Sequence, residues 1–276
     1  MPADDSAEDL EIALILEGIQ TRYGYDLREY ARSSMRRRVL AALARSGLSH
    51  LGELQHRLLT DEVFFASVLD DLTVGTTEMF RDPMFYRAFR EHVVPVLCTY
   101  PQLKIWHAGC SSGEEVYSTA ILLTEAGLYD RTQLYATDLS PRALEQAREA
   151  IYPARRLQLF KENYEKAGGT GRFEDYYASG YDGIALSEPL RKNVVFFQHN
   201  LVSDHSIGEM HAIVCRNVLI YFGPGLHARV MDKLANGLCR GGFLCLGTSE
   251  RILPALATDL VEVTEQQRIY RRRVLP

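Results

Sequence analysis

"WHAGCSSGEEVY", residues 106–117, runs from an aromatic into a glycine turn and then into two adjacent glutamates. Ahead of the turn "LKIWHA" (103–108) is a short apolar run, and beyond it "EEVYSTAILLTEA" has helical spacing. Strand, glycine turn and helix in that order open a parallel α/β sheet. The dinucleotide fingerprint G-x-G-x-x-G is absent, and Glu114 and Glu115 begin the helix where a pyrophosphate would otherwise sit. Two carboxylates there repel phosphate and suit a cation. The plainer alternative is that they only complement the helix dipole, worth roughly 0.3–1 kcal/mol each at an exposed helix start.

Working outward, "QLYAT" (133–137), "NVVFFQH" (193–199), "HAIVC" (211–215) and "GFLCLG" (242–247) are further apolar runs. "SPRALEQAREA" and "GPGLHARVMDKLANGLC" supply helices between them, and the helix after the second strand is expected to end near Tyr152. Buried strands alternating with helices give a doubly wound parallel sheet. The closing "LVEVTEQQRIYRRRV" reads as an antiparallel hairpin on the sheet edge. "RFEDYYASGYDGIAL" reads as a small antiparallel hairpin inserted at about residues 172–191, and "KENYEKAGGTG" before it as a mobile stretch.

Upstream of residue 101 the period is helical. Ile12, Leu16, Ile19 and Tyr23 mark one helix, and Met35, Val39 and Leu43 a second. Leu51, Leu54 and Leu58 mark a third; Phe64, Val68 and Leu72 mark a fourth, opened by Thr60 with Asp61 and Glu62 in its first turn. Residues 1–75 are therefore expected to form an all-helical domain and 76–100 a linker with a helix opened by Pro83. Residues 101–276 are expected to form the α/β domain.

The net charge of -5 hides an uneven distribution. Residues 1–20 carry six acids and no base, whereas 21–46 carry Arg22, Arg28, Arg32, Arg36, Arg37, Arg38 and Arg45 against Asp26 and Glu29. Arg28, Arg32 and Arg36 form a stripe, read either as a solvated helix face or as a dock for an acidic partner. The five cysteines show no C-x-x-C spacing and the eight histidines no ligand spacing, so neither disulfides nor a metal is expected. No run of 18 apolar residues occurs, and the acidic start does not resemble a secretory signal, so a cytoplasmic location is expected. An acidic balance without an aromatic-interleaved basic groove disfavours nucleic acid.

In doubly wound sheets ligands sit beyond the carboxyl ends of the strands. The loop with Gly109 and Gly113 follows the first strand and Asp138 ends the second, suited to ribose hydroxyls. Asn200 follows the third, while Arg216, Asn217 and Tyr221 follow the fourth. S-adenosyl-L-methionine fits this set, having a ribose, an ammonium and a sulfonium but no phosphate.

"FRDP", "GCSSGEEVYS", "ATDLSPRALEQAREAIYP", "QHNL", "CRNVLIYF" and "GGFLCLGTSE", in this order, make the chain resemble the CheR family of chemotaxis receptor methyltransferases along essentially its whole length. The resemblance implies transfer of a methyl group from S-adenosyl-L-methionine to glutamate side chains of methyl-accepting chemoreceptor helices, leaving S-adenosyl-L-homocysteine. It implies that Glu114 or Glu115 meets the methionine end, Asp138 the ribose, and Asn200 with Leu201 the adenine region. Arg81, with Thr77 near it, would reach the site from the interdomain segment, and Arg216, Asn217 and Tyr221 would wall the methyl; Arg81 and Tyr221 are the catalytic candidates. Arg28, Arg32, Arg36, Arg37 and Arg38 become candidates for receptor docking, and the inserted hairpin for a receptor tethering peptide. Two departures stand out, Val116 where the family has proline and Met79 where it has phenylalanine. The rival readings are a methyltransferase acting on RNA or a small molecule, one serving a pathway other than chemotaxis, and a cofactor-binding adaptor without turnover.

Overall fold

The computed structural model describes residues 7–72, 77–180, 183–256, 258–264 and 266–274. Residues 73–75 at the end of the expected helical domain, 76 at the start of the expected linker and 181–182 of the expected hairpin turn lie outside them. In chain order the helices are α1 (Ala7–Tyr23), α2 (Arg32–Ser46), α3 (Leu51–Thr60), α4 (Glu62–Leu72), α5 (Pro83–Ala88), α6 (Val94–Leu97), α7 (Glu114–Glu125), α8 (Pro141–Glu149), α9 (Leu157–Lys166) and α10 (Pro224–Asn236). The strands are β1 (Leu103–Ala108), β2 (Thr132–Asp138), β3 (Ile151–Pro153), β4 (Tyr177–Ser179), β5 (Gly183–Leu186), β6 (Val194–Gln198), β7 (Met210–Cys215), β8 (Leu238–Leu246), β9 (Leu260–Thr264) and β10 (Ile269–Arg272).

The chain divides into two compact units. One holds Met1–Gly75 together with Asn200–Asp204 and Tyr221–Val230; the other holds Thr76–His199, His205–Ile220 and Met231–Pro276. In the helical unit α1 buries Ile12, Ile15, Leu16 and Ile19, and α3 buries Leu51, Leu54 and Leu58, as their spacing requires. In α4 it is Phe65 that turns inward, stacking on Tyr23 at 3.8 Å, while Phe64 lies beneath the Arg57 guanidinium. Asp61 rather than Thr60 opens that helix, its Oδ1 accepting from the Phe64 N–H at 2.9 Å. The Thr60 hydroxyl instead bonds back to the His56 carbonyl and closes α3.

The α/β unit is built on a seven-stranded sheet of order β6-β2-β1-β7-β8-β10-β9. The pairings β6–β2, β2–β1, β1–β7 and β7–β8 are parallel, and β10 runs antiparallel to both β8 and β9. The expected closing hairpin is therefore present, with β9 outermost. Strand order reverses beside β1, and Ile105, Trp106 and His107 of that strand are all at most 1 % exposed. The carboxyl end of β1 next to β7 is thus the switch-point crevice where such folds take ligands.

Three boundaries differ from the expected ones. The helix after β2 stops at Glu149, with Ala150 at φ 55°, and "IYP" forms β3 instead of a last helical turn. That strand joins the β4–β5 hairpin in a separate antiparallel sheet, β3-β5-β4. Strand β8 begins at Leu238, so "LC" of the expected helix belongs to the sheet. The helix opened by Pro83 passes through a π-turn at Phe89–Val93 just before Pro95, whose ring cannot accept a tight preceding turn.

"KENYEKAGGTG" is not loose: it forms the end of α9 and then a turn anchored on Glu125. The Glu125 side chain, 3 % exposed, pairs with Arg90 and accepts from the Tyr164 hydroxyl, the Tyr176 hydroxyl and the Thr170 and Gly171 N–H groups. Burial pushes its carboxyl up, but Tyr164, Gly171 and Arg90 outweigh that and hold it below the usual range. A carboxyl depressed in the folded state stabilises at pH values above its unfolded pKa of about 4.3 and loses that contribution as pH falls through its folded value. Glu125→Gln is therefore expected to lower stability by about 3 kcal/mol at pH 7. Urea midpoints should show this deficit shrinking below about pH 4, with a flatter acid limb in the variant.

Candidate active site

The turn after β1 is held by backbone and by Asp138. Gly109 and Cys110 N–H groups donate to the Thr137 carbonyl at 2.8 and 2.9 Å, carrying the chain over the end of β2. The Ser111 N–H donates to Asp138 Oδ2 at 2.7 Å and the Ser140 N–H to Oδ1 at 3.0 Å. Ser140 caps α8, its Oγ accepting from Ala143 N–H. Asp138 stands at the carboxyl end of β2, where a carboxylate suits a diol as acceptor. Gly109 (φ 79°) and Gly113 (φ 88°) are needed twice over: a Cβ would lie 2.5 Å from Val218 Cγ2 at the first and 2.9 Å from Ala147 Cβ at the second.

The two glutamates at the start of α7 diverge. Glu114 is 1 % exposed and accepts from the Ser112 hydroxyl and from Arg156 Nη1, both at 2.7 Å. Arg156 also donates to the Thr77 carbonyl, which ties the segment before α5 to the same corner. Burial pushes the Glu114 carboxyl up despite these donors. Glu115 accepts from Arg216 Nη1 at 2.6 Å and lies 3.6 Å from Nδ1 of the buried His107. Burial would raise its carboxyl too, but Arg216 and His107 prevail and hold it low.

Arg216, with its side chain 1 % exposed, is the hub. It bonds Glu115, bonds Asp82 Oδ2 at 2.7 Å, donates to the Arg81 carbonyl and lies over the Phe85 ring at 4.1 Å. Arg216 with Glu115 and Asp82 sums to one negative charge, so the cluster offers a cation a partly desolvated counter-charge. Phe80 and Asp82, on either side of Arg81, have φ of 52° and 56°, which non-glycine residues rarely adopt. Ser118 Oγ holds the first through its N–H at 2.8 Å and Arg216 the second. Met79 and Val116 are fully buried, so both departures from the family pattern sit in packed core.

The structure thus gathers Thr77, Arg81, Gly109, Gly113, Glu114, Glu115, Asp138, Arg216 and Asn217 into the α/β unit, while Asn200, Leu201 and Tyr221 group with the helical unit. There the Arg38 guanidinium lies 4.3 Å over the Tyr221 ring and donates to the Leu72 carbonyl. Arg38 is 6 % exposed and faces this core, so it is withdrawn from the set of docking residues. Arg28, Arg32, Arg36 and Arg37 are exposed. The sequence reading missed Arg156, Asp82 and His107 as parts of the candidate site. Asp82 and His107 lie inside quoted stretches, but nothing in their spacing marked a partner.

Arg216→Met would leave two carboxylates facing one another without the charge between them, and should lower stability by about 3–5 kcal/mol at pH 7. Glu115 in that variant titrates above its unfolded value, so the deficit is greatest at neutral pH and narrows below about pH 5. Urea unfolding at both pH values checks this, with Arg216→Lys, which keeps the charge but not the fork, falling in between.

The residues present fit a cofactor with a ribose and a positive charge: an acid at the end of β2, and acids instead of a phosphate cradle at the start of α7. Comparison with known proteins points the same way. Residues 10–73 match the family model for the CheR methyltransferase all-alpha domain, and residues 75–269 that for the CheR methyltransferase SAM binding domain. A Pseudomonas putida protein that carries the provisional name methyltransferase Cher3 is 43% identical over 96% of this chain and 97% of its own. The chemotaxis protein methyltransferase of Listeria monocytogenes is 31% identical over 83% of this chain and 86% of its own, and chemotaxis protein methyltransferase 1 of Vibrio cholerae 28% over 85% and 86%. Among solved structures, the N-methyltransferase NodS of Bradyrhizobium japonicum is 14% identical at a TM-score of 0.36, covering 69% of this chain and 98% of its own, a distance at which no residue is compared. The chain belongs to the CheR methyltransferase family, with S-adenosyl-L-methionine as its cofactor.

Proposed function

We propose that the protein methylates glutamate side chains of chemoreceptor cytoplasmic helices, acting as a protein-glutamate O-methyltransferase in sensory adaptation. The observation that carries this reading is the bracing of Arg81. Two left-handed non-glycine residues flank it, and its carbonyl is held by the buried Arg216. Backbone strain of about 1–3 kcal/mol per residue persists only where the surroundings enforce it, and it clusters at working sites. An arginine at that position suits a carboxylate acceptor, which a guanidinium can orient through two parallel hydrogen bonds.

S-adenosyl-L-methionine supplies, when bound, a methyl group on a positively charged sulfur. The residues of this chain then have three tasks. Asp138 accepts from the ribose hydroxyls while fixing Ser111 and Ser140. Glu115, ionised by its partnership with Arg216, meets the cationic methionine end. Arg81 aligns the incoming glutamate. A glutamate with a pKa of about 4.3 is already ionised at neutral pH, so no group has to remove a proton. Asp138 and Glu115 would hold the cofactor, which would supply its methyl group to the acceptor's carboxylate oxygen, the electron pair of the broken C–S bond staying on sulfur.

The exposed arginines of α2 support a receptor helix as partner. Arg36 is paired with Glu8 and Asp9 of α1, and Arg28 with Glu17 and Asp26. Exposed pairs of this kind are worth about 0–1 kcal/mol each, so an acidic helix can displace them. A tethering peptide, where used, would extend the β3-β5-β4 sheet along an edge strand. Among the described residues no helix is long and apolar enough to cross a membrane, in keeping with a partner approached from the cytoplasm.

Two measurements test this. Radiolabelled methyl transfer to receptor-containing membranes should give base-labile label, released as volatile methanol, and Arg81→Ala should reduce it by about 100-fold or more. Label stable to alkali, or none with cofactor binding intact, would sink the carboxyl-methylation reading and favour another acceptor or an adaptor. Replacing Arg32, Arg36 and Arg37 by alanine should raise the receptor KM about tenfold and leave the cofactor Kd unchanged. Equal loss of both would instead mean folding damage.

A further inference from the structure

Beyond the residues expected to touch cofactor or substrate, a buried carboxylate stands behind them. Glu250, just past β8, is 2 % exposed and accepts five backbone hydrogen bonds. Four come from consecutive N–H groups of the loop after β7: Asn217 at 3.0 Å, Val218 at 2.9 Å, Leu219 at 2.7 Å and Ile220 at 3.2 Å. The fifth comes from Gly247 at 2.6 Å. Consecutive N–H groups converging on one point form a nest that captures anions. Here the chain fills its own nest.

That nest shapes one wall of the crevice. Asn217 takes φ of 60°, a conformation that asparagine tolerates when local hydrogen bonds hold it. The same turn seats the Val218 side chain so close to Gly109 that a Cβ there would lie 2.5 Å from Val218 Cγ2. Residue 247 must likewise be small, because a Cβ would lie 2.8 Å from Glu250 Oε2 and 2.9 Å from the Asn217 nitrogen. The loop after β8 therefore sets the loop after β7, and that loop sets the glycine turn after β1. The chain of contacts runs through Glu250, Asn217, Val218 and Gly109.

We infer that Glu250 is a positioning residue for the cofactor site. It holds the loop 217–220 in its binding conformation and, by occupying the nest, denies those N–H groups to any other anion, the acceptor carboxylate included. This rests on the reading above that Gly109 and Asn217 line the cofactor site. Glu250 itself touches neither cofactor nor acceptor in this scheme; it acts through the loop.

Calorimetric titration of the full chain with S-adenosyl-L-homocysteine tests the inference without any methyl acceptor. Glu250→Gln replaces one of the two oxygens by an amide that faces N–H donors, and should weaken binding about tenfold or more while far-UV circular dichroism stays native. Glu250→Ala should weaken it further and open a space that 50–100 mM formate, about the size of the lost carboxylate, refills with partial recovery of the Kd. A merely structural pin would lower the melting temperature and leave the Kd alone, and that result in Glu250→Gln would overturn the inference. So would an Ala variant whose loss formate fails to reverse. Should both variants fail to fold, Val218→Ala, which leaves all five hydrogen bonds in place, decides it. Binding weakened about threefold supports the relay to Gly109, and unchanged binding overturns it. Absence of binding by the wild-type chain would overturn the cofactor-site reading itself, a result distinct from any of these.

Discussion

One guanidinium, that of Arg216, joins three parts of the chain that are far apart in sequence. It stands at the end of β7, bonds Glu115 at the start of α7 and Asp82 before α5, and rests on the face of Phe85. A buried cation without partners is untenable, and the largely buried Glu115 without the cation is strongly disfavoured. The three therefore require one another, and their mutual demand fixes where the helix start, the strand end and the segment around Arg81 meet. Because two acids face one base, the solution leaves a negative charge over, which a phosphate ligand would not tolerate and a cationic one uses.

The same demand explains why strained backbone survives beside Arg81. Phe80 has no steric reason to adopt a positive φ, yet its ring is fully buried against Tyr86 and Tyr164 and its N–H is held by Ser118. Asp82 is held at its own positive φ by the ion pair to Arg216. Burial and charge pairing thus anchor both neighbours, and Arg81 is the residue between two anchors. Rigid neighbours fix the backbone from which the Arg81 side chain departs.

Where the sequence was legible, periodicity and turn chemistry made it so. Strand β1 runs over the same residues as the apolar run read for it, 103–108, because all but Lys104 are buried in the middle of the sheet. Strand β3 was illegible because "AREAIYP" continues a helical pattern and only the left-handed Ala150, which carries no glycine to announce it, breaks the helix. Arg38 was misread although the information was there: Met35 and Ala42, three residues before and four after, share its buried face, whereas Arg36 and Arg37 point outward. The basic run was read as one surface when helical phase divides it. The positions of Asp138 and Arg216 after strands, and of Glu114 and Glu115 at a helix start, could be read from the sequence, but the pairing of Arg216 with Asp82 and of Glu114 with Arg156 could not, since ion pairs across more than 30 residues leave no local trace.

The opposite fates of Glu114 and Glu115 show what the pair at the head of α7 is for. Adjacent on a helix, they point about 100° apart and enter different surroundings. Glu114 goes inward to Ser112 and Arg156, where burial pushes its carboxyl up, and through Arg156 it secures the Thr77 carbonyl. Glu115 goes toward Arg216 and stays ionised. One carboxylate thus serves the architecture of the corner and the other the charge of the crevice, and both disfavour phosphate at a helix start whose dipole alone would attract it. Since the dipole acts on any helix start, it is the acids at this one, and not the dipole, that disfavour a phosphate.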